Sequence, residues 1–257
     1  MNAPPYITVL LASFNRLELL EDAVGSVLAQ KCQYSFEVLV VDDGSEAETR
    51  NWLDRKARNN PLLRVVHQAH TGVASARYRG LVAARGEWVV ILDSDDLLLP
   101  GALEVLAKAL RSRTDVDLFY ADVIDISRHG KPSGRVRYPR FANNNRMMRS
   151  VFVRPRVPFK HSGTTFRPAT ALELGGYDVD LPLKIDVDLF LRFLSAGKRL
   201  NHIDEPLAAF RRHRKSLSNS RRIEGIRVWS FLIDRYHGNT LKAPIYKVLR
   251  GSVEYAK

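Results

Sequence analysis

The amino-acid sequence predicts an α/β protein, with a mostly parallel central sheet carrying helices on both faces and a C-terminal helical extension. Three observations predict it. Short β-branched apolar runs alternate with segments of helical spacing through the first half of the chain. The runs are apolar along their length, as strands buried on both faces require. Carboxylates gather directly after two of these runs, where open α/β sheets place their ligands.

Tyr6–Ala12 reads as the first strand, Leu17, Leu20, Val24, Val27 and Leu28 recur at helical spacing, and Phe36–Val41 is the second strand. That is one βαβ unit. Ser45 and Glu48 make an S-x-x-E capping box opening a helix with Trp52, Leu53 and Ala57, and Leu63–Val66 reads as the third strand. From Gly72 to Ala84, small residues at Ala76, Gly80 and Ala84 let a helix lie close to its sheet. Glu87–Leu92 is the fourth strand, Pro100 marks the start of a helix carrying Leu103, Leu106 and Leu110, and Leu118–Val123 is the fifth strand. Periodicity then lapses from Ser127 to about Lys160, which predicts a long connection, functional or mobile. Order returns with strand-like Thr164–Arg167, a helix through Leu172 stopped by Gly175 and Gly176, and a helix Asp186–Ala196 stopped by Gly197. Arg199–Ile203 and Leu207–Arg211 read as two strands. The tail carries Ile226, Trp229, Ile233 and Tyr236 at helical spacing, then Pro244 and a second amphipathic stretch, Ile245–Leu249.

With 257 residues, 45% hydrophobic and 26% charged, the composition excludes a disordered or fibrous chain. No apolar run approaches the roughly 20 residues of a membrane span, and no signal peptide opens the sequence, so a cytoplasmic protein is expected. The single cysteine, Cys32, has no partner for a disulfide or for CxxC chemistry. Net charge is +12, concentrated in two acid-free windows: Ile126–Leu172 with eleven Lys and Arg, and Leu207–Arg222 with six. A uniformly basic nucleic-acid binder is not patterned this way. The windows suit an anionic ligand, an anionic lipid-linked acceptor or a membrane surface, and solvated loop arginines are the plain alternative. For the aromatic and basic tail the readings are peripheral contact with an anionic membrane or packing back onto the domain.

The chemistry lies in the carboxylates. "VVDDGS" puts Asp42 and Asp43 at one strand end, and "ILDSDD" puts Asp93, Asp95 and Asp96 at another. On extended backbone Asp93 and Asp95 project to one side and Asp96 to the other, which makes Asp93 and Asp95 the pair. D-x-D offers hard oxygens to Mg²⁺ or Mn²⁺, although an acidic turn in solvent has the same sequence. On the helix from Asp186, Asp188 stands four before Arg192, an i,i+4 ion pair, so Asp186 is the carboxylate left over. As a catalytic base or as a favourable charge at a helix N-terminus, Asp186 reads equally well.

Taken in order, "ITVLLASFNR", "VLVVDDGS", "GVASARYRGLVAARGEWVVILDSDDLLLP", "LGGYDVDLPLKIDVDLFLRF" and "FRRHRKSLS" resemble the inverting nucleotide-sugar glycosyltransferases of family 2, with the GT-A fold. The resemblance implies a glycosyltransferase domain over 1–220, with a nucleotide-binding half (1–125) and an acceptor half (126–220), and a helical tail over 221–257. It implies that Ala12, Phe14 and Asp42 or Asp43 hold the nucleoside, that Asp93 and Ser94 lie near the ribose, and that Arg77 faces the diphosphate. Asp95 and His213 would hold a divalent metal, Mn²⁺ or Mg²⁺. Asp186 would be the base, and Arg211, Asp96 and Ser216 would contact the diphosphate or the acceptor. The implied partners are a nucleotide-sugar donor, a UDP-sugar by the family pattern, and a glycan or lipid-linked saccharide acceptor. The chain departs from the pattern at Ala12 (usually Pro), Tyr78 (usually Asn) and Ile185 (usually Glu), and the last bears on acceptor choice. No glycine follows the first strand in "LLASFNRLE", which argues against nucleotidyltransferase and nicotinamide chemistry. A polyanion-binding protein leaves the acidic motifs unexplained; a silent relative that binds nucleotide sugar without turnover carries them all.

Overall fold

The computed structural model describes residues 3–212, 221–238 and 240–255. The first half runs β1 (Ile7–Ser13), α1 (Leu17–Leu28), β2 (Phe36–Asp42), α2 (Ala47–Arg58), β3 (Leu63–His67), α3 (Val73–Ala83) and β4 (Trp88–Ile91). These four strands are parallel throughout, in the order β3-β2-β1-β4. Along β1, Ile7, Val9 and Leu11 face one core and Leu10 the other, the alternation that a sheet covered on both sides imposes. Gly80 explains how closely α3 lies: a Cβ there would stand 2.3 Å from Leu10 Cδ1.

The second half is mixed. It runs β5 (Leu97–Leu98), α4 (Ala102–Ser112), β6 (Leu118–Ile126), β7 (Pro132–Val136), α5 (Asn144–Val153), β8 (Thr165–Phe166), α6 (Pro168–Glu173), α7 (Ile185–Ser195) and β9 (Leu200–Arg211). Two-residue β8 joins the halves, antiparallel to both β4 and β6, while β9 runs parallel to β6 and antiparallel to β5. Where the sequence suggests two strands, β9 is one, with its register against β6 shifting between Ala121 and Val123. The stretch expected to be a long connection holds β7 and α5, the latter capped by Asn143 Oδ1 accepting from Arg146 N–H at 3.0 Å. The Ser45–Glu48 capping box does not form. Ser45 Oγ accepts from Asn15 N–H at 2.9 Å, and the helix starts one residue later with Glu46 at its N-cap.

Two tail helices, α8 (Arg222–His237) and α9 (Ala243–Tyr255), fold back on this body. Trp229, Leu232 and Ile233 of α8 and Tyr246 of α9 share a core with Phe152, Phe190 and Phe193. Among the described residues no helix is long and apolar enough to cross a membrane.

Candidate active site

Both acidic motifs sit at the C-terminal edge of the parallel strands, and they are built differently. After β2, Asp42 is wholly buried; it accepts from Ser45 N–H at 3.1 Å and from His67 Nδ1–H at 2.8 Å. His67 Nε2 lies 3.0 Å from Asp54 Oδ1, so the protonated imidazolium donates to both carboxylates. Burial works against the imidazolium, but the two carboxylates outweigh it and His67 titrates above its ordinary value. Asp43, 2% exposed, collects Gln68 Nε2 at 2.7 Å, the N–H groups of Thr71 and Gly72 at 2.9 Å each, and His70 Nδ1 at 2.8 Å. It thereby folds the loop from β3 to α3 against its own strand. That loop holds the His70 ring stacked on Phe14, centroids 3.9 Å apart and 17° from parallel. Phe14 is 39% exposed, so an aromatic face is presented beside β1, next to half-buried Ala12.

After β4 the chain does not stay extended. Asp96 N–H donates to Asp93 O at 3.0 Å, closing a turn that brings oxygens of Asp93, Asp95 and Asp96 within 4.8 Å of one another. Asp96 therefore belongs to the cluster, contrary to the extended-backbone expectation that it faces away. It is fully buried, accepting from Ser162 Oγ at 2.5 Å and Arg211 N–H at 2.8 Å. Burial, then repulsion from Asp93 and Asp95, pushes its carboxyl well above the usual range. Asp93 shifts the other way: burial opposes its charge, but Arg77, with His161 and Lys160 behind it, holds it well below the usual range. Arg77 donates directly to Asp93 Oδ1, and Arg16 NH1 donates to Asp95 Oδ2 at 2.6 Å. Ser94 is buried within the turn.

Asp186 opens α7 and, among the described residues, its side chain takes no hydrogen bond. Its charge is felt by Arg77, Lys160, His161 and Tyr177, which ties the helix start to the acidic turn. Asp188, one step further round α7, is fully occupied by Arg192 Nε at 2.9 Å, Arg235 NH1 at 2.8 Å and Tyr236 O–H at 3.1 Å. The i,i+4 pair expected between Asp188 and Arg192 is present.

Arg211 is 4% exposed and spends its guanidinium on protein: Asp95 O at 2.9 Å, Arg128 O at 2.7 Å and Asp22 Oδ2 at 3.1 Å. It braces the acidic turn from below instead of facing an open site. His213 and Ser216 lie outside the described residues.

The donor set suits a hard divalent cation. The carboxylate oxygens of Asp93, Asp95 and Asp96 converge within 4.8 Å, a hard donor set, with Arg16 and Arg77 standing against two of them. Asp95 and Asp93 are the side chains open enough to hold it, at 16% and 28% exposure.

Residues 8–173 match the model of Glycosyl transferase family 2. The chain belongs to this family. Among curated relatives, this glycosyltransferase is 29% identical to the amylovoran biosynthesis glycosyltransferase AmsE of Erwinia amylovora, over 79% of the chain and 75% of that protein. It is 28% identical to the hyaluronan synthase of Pasteurella multocida over 77% of the chain, yet it spans only 20% of that much longer protein. Among solved structures, TarS 1-349 of S. aureus in complex with UDP-GlcNAc superposes with a TM-score of 0.69 at 17% identity, covering 96% of this chain and 71% of that one. The mannosyltransferase PcManGT of Pyrobaculum calidifontis, in complex with GDP-Man and Mn²⁺, superposes with a TM-score of 0.63 at 20% identity, covering 99% and 74%. These likenesses establish the GT-A type of α/β fold.

Several residues of the candidate site carry no local sequence signal. Arg16 follows β1 in "SFNR", while Lys160, His161 and Ser162 come from "KHSG" ahead of β8. His161 Nε2 shares a hydrogen bond with Tyr177 O–H at 2.8 Å, and its Nδ1 lies 3.6 Å from Asp93 Oδ1. Burial, then Arg77, lowers the pKa of His161, and burial raises that of Tyr177. The "GGYD" segment was the available hint for Tyr177, and nothing beside Lys160 marks it.

Proposed function

We propose that this glycosyltransferase is an inverting enzyme, moving a sugar from a nucleotide diphosphate, a UDP-sugar foremost, to a hydroxyl of a glycan or lipid-linked saccharide in the cytoplasm. The supporting observation is the arrangement around Asp186. A carboxylate with no hydrogen-bond partner among the described residues stands at a helix start, coupled to Arg77 and the triple-carboxylate turn, while its neighbour Asp188 is locked in ion pairs. A base must be unencumbered to take a proton.

On this reading residues 1–125 bind the nucleotide and 126–220 the acceptor. Phe14, on its His70 support, stacks on the base. Asp42 and Asp43 already hold protein donors, so a uracil N3–H would share one of their oxygens. Asp93 and Ser94 lie by the ribose, and Arg77 turns from Asp93 toward the diphosphate. Asp186 takes the proton as the acceptor O–H breaks, the oxygen bonds to the anomeric carbon, and the bond from that carbon to the phosphate oxygen breaks with its electron pair. Attack from the face opposite the leaving group inverts the anomeric centre. A divalent cation held by Asp95, with Asp93 beside it and His213 as a third candidate, would offset negative charge on the departing diphosphate.

Calorimetry tests the donor half: UDP binds with Mn²⁺, and binding is lost with chelator or in Asp95→Ala. GDP is the second arm. Turnover tests the rest, with Asp186→Asn inactive yet still binding nucleotide and with the product's anomeric configuration read by NMR. A retained anomeric configuration, or full turnover in Asp186→Asn, sinks the proposed mechanism.

A further inference from the structure

Helix α9 is inside out. Its face toward the body carries Ala243, Tyr246, Arg250 and Glu254, all buried. Its outward face carries Ile245, Val248, Leu249 and Tyr255, exposed to 59%, 69%, 38% and 81%, and Leu241, just ahead of the helix, is 96% exposed. Surface helices normally turn their apolar stripe inward and their charges out. Here an arginine and a glutamate are inside, the latter bonded to Lys184 Nζ at 3.1 Å and Trp229 Nε1 at 2.9 Å. The body fixes which way α9 faces, so the apolar stripe is not a helix rolled the wrong way. An outward stripe of this extent marks a contact surface.

Charge selects the occupant. Lys242 stands just ahead of the helix, and Lys247 on it is paired with Asp234 of α8 at 2.7 Å, so the neighbouring arginines supply the free charge. Helix α5 packs against α9, with Phe152 stacked on Tyr246 at 5.5 Å. Arg146 and Arg149 on α5 and Arg154 just after it line an open groove with Phe141 and with Arg140, which is itself paired with Asp204 at 3.1 Å; none of the lining residues is acidic. The groove lies in the first acid-free window of the sequence, in a chain of net charge +12. A second copy of the chain would bring the same arginines to the same place and be repelled. An anionic bilayer meets both features, the apolar stripe entering the boundary between headgroups and acyl chains and the arginines meeting lipid phosphates.

We propose that the outward face of α9 and the arginine-lined groove of α5 form a docking surface for an anionic lipid bilayer. This goes beyond the reaction proposed above and does not depend on it, since a bilayer can be bound with or without a donor.

Flotation of the full chain tests it, with vesicles of phosphatidylglycerol and phosphatidylethanolamine against vesicles of phosphatidylcholine. Recovery with anionic vesicles is expected to exceed that with neutral ones by at least about tenfold at low salt. Ile245→Glu with Val248→Glu should bring it down to the neutral level. Arg146→Ala, Arg149→Ala and Arg154→Ala together should remove most of its salt dependence. The substituted apolar side chains are exposed, so melting temperature and nucleotide binding should stay at wild-type values; if the double variant unfolds, Leu241→Glu replaces it. Equal flotation on neutral vesicles, flotation indifferent to the glutamates, or no flotation overturns the proposal. So does a dimer, seen by light scattering, that the same glutamates dissolve.

Discussion

The two acidic strand ends, about fifty residues apart in sequence and one strand apart in the sheet, solve the same problem in opposite ways. After β2, Asp42 and Asp43 are answered by backbone N–H groups, an amide and two histidines, so each carboxylate is the hub of a finished loop. After β4, three carboxylates crowd one another, with Asp96 pushed up and Asp93 pulled down in pKa. Arg16, partly open, and Arg77, largely buried, balance Asp95 and Asp93. The first cluster holds a loop; the second, three carboxylates crowded on one turn and leaning on two arginines, suits a ligand that carries positive charge.

Turnover is the sharpest way to break this contrast. Asp95→Ala should cut donor turnover by at least about 10³-fold while leaving the urea unfolding midpoint of metal-free protein nearly unchanged. A large loss of stability instead would put the β4 end in the same class as the β2 end. Asp43→Ala should do the reverse, costing roughly 3 kcal/mol of stability in urea by stranding Thr71 N–H, Gly72 N–H and Gln68. Adding Mn²⁺ sharpens the comparison further: at a hundredfold excess over its dissociation constant it should stabilise the wild type by about 2.7 kcal/mol and leave Asp95→Ala unmoved in thermal melts. The smallest effect is expected at His67. Its folded-state pKa is raised, so its contribution is fully present below about pH 6.5 and disappears as pH rises through the folded value. His67→Gln should flatten that dependence by less than about 1 kcal/mol, the His67 side chain being 29% exposed, as read from unfolding midpoints between pH 5.5 and 8.5.

What was legible in the sequence follows from the range of the interactions. Strands β1, β2, β3 and β4 and the helices between them are written in local periodicity, and the chain realises them within a residue or two. The separation of Asp186 from Asp188 was legible because an i,i+4 pair is a local relation. Ser45 misled because its hydroxyl answers Asn15, thirty residues upstream, and not its own helix. Strand β7 was missed because its residues are nearly all exposed, and α5 because arginines and asparagines interrupt its apolar positions. Within the candidate site, Arg16, Lys160 and His161 come to the acidic turn from distant segments, and Tyr177 through His161; only the fold brings them there. The fate of Arg211 was equally hidden, since its acceptors come from the acidic turn, Arg128 and α1.

Lys184 adopts a left-handed backbone conformation, φ 59°, immediately ahead of the helix that begins with Ile185 and Asp186. Its side chain is 10% exposed and meets Glu254, whose side chain is 1% exposed and lies about three turns into the last helix. Shortening the protein by its final few residues is therefore a remote edit of the residue two before the proposed base. It withdraws a carboxylate from a buried ammonium, a change that costs on the order of 3–5 kcal/mol when a buried pair is broken. An assay on a trimmed chain would report that injury as a catalytic defect, although no residue of the cleft had been touched.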